Sequence, residues 1–598
     1  MFQQKIISNQ IPNQFNTVEG LLKSDPFGKG HQVGSTQEVY KNYWSHLTPG
    51  SKELIKLVRI LNKAEKNDPE FFKYFVGNLV NHPYPHKIMR LFVEYSKVEM
   101  LGDKIDRMLQ VYGSARTAET HGYYQDALVW TQYLIKQFKE VKGVEICIGT
   151  GAGPGQMEAG NQAAHHMNVP SAGFRLWFPQ LLESPNPYMD QMLFFTFFVP
   201  RLSGFQDGPL HLITAGGAGT MDELFGVLAL KAMGMRKDLK LGLQNSPVYV
   251  AGTRQIEKPE APEYFYDGLQ HFIKKVMHQQ YGLVSRDELH MYKVLNSPED
   301  AFDAFKDFKL NDPSSNGFRT YRKFMSYQED HQKSIFRQTQ KPVKALVHAI
   351  THTLATGTPD QVGIVNAAVW NFIHNDEKNN GRNDKYLHAV TELAANKNIF
   401  KNKAKSTTFI LPQRADSKLL EAPFQHLKLV LPRIKSSITF DNQGVIVENL
   451  FKDSVLAKKR VRILDTVVSG NVESFTPAQE YYPFKRHDVK NMILVDSSHT
   501  FVIAPGGYTT QGIFWHLMDI IQTKKLKPHQ VPLIILWDPY MDFYTKLEKD
   551  WIDPLIARGM VNPNFKTLYV IESDLDKVIG MANKREFEIK QGHAHKPQ

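Results

Sequence analysis

Gly149-Thr-Gly-Ala-Gly-Pro-Gly-Gln-Met-Glu158 and Ala215-Gly-Gly-Ala-Gly-Thr-Met-Asp-Glu223 decide the fold class of this chain. Each follows a short apolar run, at 144–148 and 211–214, and opens a stretch of helix-forming composition. A strand that ends in glycines and feeds a helix aims bare backbone N–H groups at one point, and that point suits a phosphate. A tight turn needs one glycine, so the density at 149–155 indicates close approach of a ligand rather than a turn alone.

Outward from these turns, strand-like and helix-like segments alternate. Strand candidates at 109–112, 144–148, 211–214, 247–250 and 292–295 read as a parallel sheet with helices on both faces, an α/β class. Ser297-Pro-Glu-Asp300 caps a closing helix. Residues 1–104 read as a helical N-terminal region, with helical periodicity at 54–61 and a loop at 81–85. Residues 105–310 form the first α/β domain. Residues 311–405 follow as a linker, Asn311-Asp-Pro-Ser-Ser-Asn-Gly317, and a helical region. A second alternating domain spans 406–590, and 591–598 is a tail.

The second domain repeats the order of the first. Strand candidates at 407–411, 500–503, 533–537 and 568–571 surround the turns Asp441-Asn-Gln-Gly444 and Ala504-Pro-Gly-Gly507. Spacing agrees: 216 − 155 = 61 in the first region and 506 − 444 = 62 in the second. Ser573-Asp-Leu-Asp576 echoes the cap at Ser297, and Tyr544 with Arg558-Gly-Met560 echoes Tyr266 with Tyr281-Gly-Leu283. A diverged internal duplication accounts for this better than two unrelated α/β domains.

Composition bounds the class. The 598 residues are 42% apolar and 22% charged, ordinary for globular protein, and long enough for several structural units. The most apolar stretch, 193–200, is far short of the ~20 residues of a membrane span. The opening Met1-Phe-Gln-Gln-Lys-Ile-Ile lacks a signal-peptide core, and one cysteine, Cys147, allows no intrachain disulfide. A cytoplasmic protein without membrane partners is the expectation. The net charge of +11 suits anionic partners, but the lysines are scattered and no basic stripe interleaves with aromatics, which disfavours nucleic acid. His348 and His352 have a metal-compatible i, i+4 spacing without an acidic companion, so no metal site is read there.

Residues 109–305 resemble the Lonely Guy (LOG) family, once labelled lysine decarboxylase-like. The resemblance rests on Tyr112-Gly-Ser-Ala-Arg116, on Gly151-Ala-Gly-Pro-Gly-Gln-Met-Glu-Ala159 with Asn161, on Asn186-Pro-Tyr188, and on Gly216-Gly-Ala-Gly-Thr-Met-Asp-Glu-Leu-Phe225. It implies a modified Rossmann fold and hydrolysis of the N-glycosidic bond of a nucleoside 5′-monophosphate to free base and ribose 5-phosphate, by a phosphoribohydrolase that needs no cofactor and usually dimerises. Two departures stand out. Ala215 replaces the signature's leading proline. The family's catalytic arginine, fifteen residues earlier, would fall on 215 − 15 = 200, which is Pro200, with Arg201 beside it.

On that resemblance Glu223 and Arg201 are the catalytic candidates. Gly113, Ser114, Arg116, Gly153, Gly155, Met157, Glu158, Gly216, Gly217, Gly219 and Thr220 are candidates for phosphate and ribose, with Glu158 for the hydroxyls. A carboxylate near C1′ stabilises the charge that cleavage builds on the sugar. Thr220-x-x-Glu223 also fits a capping box that serves only the helix. In the second copy Thr509 replaces a signature glycine and Ile513 stands at the carboxylate position, so that copy is expected to be catalytically dead, with Arg486 and Glu448 nearby in order. It would replace the partner subunit as an intrachain pseudo-dimer, the alternative being a homodimer. The rival function is a catalytically inactive nucleotide-binding sensor; a dinucleotide-dependent oxidoreductase fits less well, because the first turn departs from GxGxxG. The preferred base would be read by the loop at 177–182 and the N-terminal helices.

Overall fold

A computed structural model describes residues 103–176, 185–195, 197–250, 253–254, 263–308, 405–412, 418–441, 445–451, 460–466, 480–484 and 486–591, with scattered positions between 61 and 101 and between 346 and 396. The expected helix at 54–61 (apart from Leu61), the loop at 81–85, the linker at 311–317, His348, His352, the loop at 177–182 and residues 592–598 lie outside the described residues.

Two seven-stranded sheets are built alike, every pairing within them parallel. The first contains β1 Met108–Tyr112, β2 Cys147–Thr150, β3 Ser171–Leu176, β4 Gln191–Phe195, β5 Leu210–Ile213, β6 Lys240–Gln244 and β7 Lys293–Leu295, in the order β4-β3-β2-β1-β5-β6-β7. The second contains β8 Ser406–Ile410, β9 Ser437–Asp441, β10 Val461–Thr466, β11 Glu480–Phe484, β12 Ser498–Ile503, β13 Leu533–Trp537 and β14 Val570–Glu572, in the order β11-β10-β9-β8-β12-β13-β14. The same order in both is the duplicated α/β fold. Where the sequence pattern placed a strand at 247–250, Tyr249–Val250 instead pairs antiparallel with Thr253–Arg254, outside the sheet. Its place in the sheet is taken by β6, whose opening Lys240 breaks the apolar run.

The connecting helices used below are α1 Gly122–Lys142, α2 Gln156–His166, α3 Phe198–Phe205, α4 Ala218–Ala232 and α5 Pro298–Phe305 in the first lobe. In the second they are α6 Lys418–Val430, α7 Val445–Phe451, α8 His487–Ser497, α9 Tyr508–Gln522 and α10 Leu575–Lys590. Central strands are buried on both faces, as a doubly covered sheet requires. Leu109, Val111, Leu210 and Leu212 meet Leu134 of α1 and Phe302 of α5 on one face, while Met108, Tyr112 and Ile213 share the core that holds Leu224 of α4. Ser297 caps α5 by accepting from the Asp300 N–H; the cap of α10 is Asp574 rather than Ser573.

That second core continues into the other lobe, through Phe514, Trp515 and Trp551. Along α4 and α9, with the turns before them, equivalent positions are offset by 290, since 506 − 216 = 290 and 513 − 223 = 290. Helix α4 lies against its own equivalent, α9, and the two run antiparallel: Gly219 faces Asp519, Asp222 faces His516, and Phe225 and Ala229 face Gly512. Each lobe also lays a loop on the other's glycine turn. A Cβ on Gly217 would stand 2.1 Å from the Met560 carbonyl oxygen, and one on Gly507 would stand 2.7 Å from that of Leu283. Tyr266 and Trp551 stack across the seam at 5.6 Å. Tyr266 and Tyr544 donate to the carbonyls of Thr214 and Ala504, just before their own lobes' turns, at 2.6 and 2.8 Å.

Candidate functional site

The turns after β1, β2 and β5 meet at the C-terminal edge of the first sheet. Their glycines are required by close approach. A Cβ on Gly113 would lie 2.2 Å from Thr214 Oγ1, one on Gly155 2.3 Å from the Ser114 carbonyl oxygen, and one on Gly216 2.1 Å from Thr220 Oγ1. Gly155 also has φ +71°, in the left-handed region open to glycine. Side chains lock the first turn: Asn186 Nδ2 donates to the Gly153 carbonyl and to Asn161 Oδ1, both at 3.0 Å, and the Ala152 N–H donates to Thr150 Oγ1 at 3.0 Å. The Ser114 N–H donates to the Ala215 carbonyl at 3.1 Å, which ties the first and third turns.

Glu223 lies in the second turn of α4 with only 9% of its surface exposed. Gly217, not Thr220, occupies the cap position, and no side chain caps this helix. The capping-box reading of Thr220 and Glu223 therefore gives way to another partner: Arg201 Nη2 stands 3.2 Å from Glu223 Oε1. Helix α3 makes this reach possible. Pro200 is buried within it, and Arg201, one position on, donates through Nε to the Phe174 carbonyl at 3.2 Å and lies over the Phe205 ring at 4.8 Å. A Cβ on Gly151 would meet Arg201 Nη2 at 2.8 Å and Met157 Sδ at 2.7 Å. The missing side chain at Gly151 thus leaves the space the guanidinium fills.

The structure brings Arg201, Glu223, Gly151 and Met157 together above a packed floor of Gly113, Ser114, Gly155, Gly216 and Thr220. Gly217 and Gly219 border the second lobe. Arg116 is exposed and donates to the Gly559 carbonyl of that lobe at 3.5 Å rather than pairing with Glu223. Glu158, half-buried in the first turn of α2, is held above its ordinary value by burial and then by the Glu119 carboxylate. Cys147 is buried in β2, and burial pushes its thiol up to about 12, which leaves it inert.

Burial pushes the Glu223 carboxyl up to about 8; Arg201 pulls against this, while Asp519 and Asp222 add to it. Asp519 belongs to α9, as does His516, whose Nδ1 lies 3.2 Å from Asp222 Oδ2. Burial lowers the His516 imidazolium, but Asp222 more than offsets it and holds the group above its ordinary value. Asp519 itself is held above the carboxylate range by burial and by Asp222. Lys525, just beyond α9, is brought down to about 8 by burial and feels Asp519 and Arg201. Sequence order offered no signal for Asp519, His516 or Lys525, because their relevance arises only when α9 packs on α4.

The second lobe is different inside. By sheet register Tyr112 corresponds to Ile410, and Gly151 therefore to Asp441. Where Gly151 leaves room for a cation, Asp441 fills the space and pairs with the buried Lys490 of α8. Arg486 turns away to Asp488 at 3.2 Å and to the Tyr95 ring at 5.7 Å. The Glu448 side chain and Gly444 lie outside the described residues. Ile513 is buried at the position of Glu223.

Residues 157–305 and 449–581 each match the family model described as possible lysine decarboxylase. Among solved structures, a molybdenum cofactor binding protein from the phototrophic bacterium Rippkaea orientalis is 14% identical with a TM-score of 0.22, covering 33% of this chain and 94% of its own. The structural-genomics target TM1055 is 15% identical with a TM-score of 0.23, covering 33% of this chain and 98% of its own. No curated protein matches. Among the described residues no helix is long and apolar enough to cross a membrane.

Proposed function

We propose, for a chain whose two lobes each match the family model described as possible lysine decarboxylase, that the first lobe hydrolyses the N-glycosidic bond of a nucleoside 5′-monophosphate. The observation that carries this reading is the 3.2 Å contact between Arg201 and Glu223, set over the glycine turns. The N–H groups at the start of α4, which no side chain caps, receive the phosphate. Arg201, whose guanidinium matches phosphate oxygens, exchanges part of its contact with Glu223 for the substrate.

Cleavage of the C1′–N bond leaves its electron pair on the base and positive charge on the sugar. Ionised Glu223 stabilises that charge and takes a proton from the water whose oxygen bonds to C1′; the proton then leaves with the base. A carboxyl brought up to about 8 is a stronger base near neutral pH than an ordinary glutamate. The second lobe stands where a partner subunit would, covering α4.

The test is incubation of the purified protein with a panel of nucleoside 5′-monophosphates, with free base and ribose 5-phosphate measured. Release by the wild type and its loss in Glu223→Gln is the expected result. Nucleotide-dependent thermal stabilisation without any base release would replace this reading with that of a silent nucleotide-binding protein.

A further inference from the structure

A duplicated chain lets one lobe carry groups that serve the other's pocket without serving its own. Helices α4 and α9 face each other across the pseudo-twofold axis, so each presents the same positions to its neighbour. Asp519 stands where α4 has Ala229 (519 − 229 = 290), and His516 where it has Gly226 (516 − 226 = 290). The polar pair is therefore one-sided. His516 Nδ1 meets Asp222 Oδ2 at 3.2 Å, one residue before Glu223. Asp519 Oδ1 lies 3.1 Å from where a Cβ on Gly219 would stand, so the carboxylate packs directly on the glycine face of α4, one turn before Glu223. In the reverse direction, alanine and glycine face a lobe whose own carboxylate position is Ile513.

We propose that Asp519, supplied by the lobe that lacks a catalytic carboxylate, is a positioning residue that sets the protonation of Glu223 and hence the pH at which the first lobe turns over. This rests on the reading of Glu223 as the catalytic base. Two carboxyls buried near each other do not both ionise at ordinary pH, so the charge on one holds the proton on the other. The charged groups facing Glu223 are Arg201 from α3, Asp222 on α4 and Asp519 from α9, with the buried Tyr112 hydroxyl at the end of β1. Those facing Asp519, besides Glu223, are Asp222, Arg201, His516 and Lys525. Arg201 and His516 balance part of the acidic charge, which leaves Asp519 as the group whose removal most changes the field at Glu223 from outside its own lobe.

The experiment compares wild type, Asp519→Asn and Asp519→Glu. The acid limb of kcat/KM for base release should move down by about one pH unit in the asparagine variant, as expected for loss of a nearby like charge. KM for the nucleotide should stay within about twofold because Asp519 does not touch substrate. The glutamate variant should restore the limb. Infrared titration of the protonated-carboxyl band gives a readout independent of turnover: Glu223→Gln identifies the component, and Asp519→Asn should lower its midpoint. A limb and a band that both stay put overturn the proposal. A band that moves in a protein that releases no base supports the coupling and overturns only the hydrolase reading.

Discussion

Replacing Glu223 by glutamine separates two descriptions of one carboxyl: a partner of Arg201 that is ionised throughout, and a buried acid that keeps its proton to about pH 8. In the unfolded chain this group has the ordinary value of 4.5. As pH rises from there, the unfolded state loses its proton first, and the native state falls behind in stability until about pH 8. The gap, 8 − 4.5 = 3.5 units, bounds the effect at about 5 kcal/mol, of which about 4 kcal/mol falls between pH 5 and pH 9. The variant also strands the Arg201 guanidinium, but arginine stays charged across this range, so that cost is a constant offset. The quantity to measure is therefore the difference in unfolding free energy between wild type and Glu223→Gln, by urea titration followed through Trp515 and Trp551, at pH 5, 7 and 9. Wild type should lose ground to the variant as pH rises, by at least about 2 kcal/mol after allowance for water reaching the site. A flat difference, or wild type gaining with pH, refutes the buried-acid description and with it the poised base.

Three further experiments test the site's construction. Gly151→Ala places a carbon against the mobile ends of Arg201 and Met157, so kcat should fall on the order of tenfold while thermal unfolding shifts little. Restoring a carboxylate in the second lobe, as Ile513→Glu in a Glu223→Gln background, should restore no base release, because Asp441 and Lys490 already fill that pocket; measurable turnover would contradict this. Lys490→Met alone should cost about 3–5 kcal/mol in urea unfolding by stranding the buried Asp441, and the double variant with Asp441→Asn should recover most of the loss.

The glycine turns made the fold legible, because no other residue satisfies the close approaches at Gly113, Gly155 and Gly216. The order of the second sheet was harder to read. Strand β10 carries Arg462 and Asp465 inside a buried run, and β11, Glu480-Tyr-Tyr-Pro-Phe484, holds a proline that only an edge position accommodates, so neither shows an apolar strand signature. Arg201 could be nominated from sequence, but its reach could not: it depends on the turn of α3 and on the absent side chain at Gly151. Asp519 was beyond any local pattern, since its first-lobe neighbours, Arg201, Asp222 and Glu223, lie about three hundred residues away in sequence and meet it only through helix packing.

A symmetric dimer forces both pockets to share every substitution, because one gene writes both helices. Duplication removes that constraint, and the contact between α4 and α9 shows its use. Gly226 and Ala229 offer α9 no polar side chain at the positions equivalent to His516 and Asp519, while His516 and Asp519 place charge beside Asp222 and Glu223. On the proposed roles, Ile513 at the position of Glu223 and Asp519 at that of Ala229 belong to one division of labour. On the proposed assignment the second lobe holds no ligand: Asp441 and Lys490 fill its interior, and its α9 face serves the first lobe.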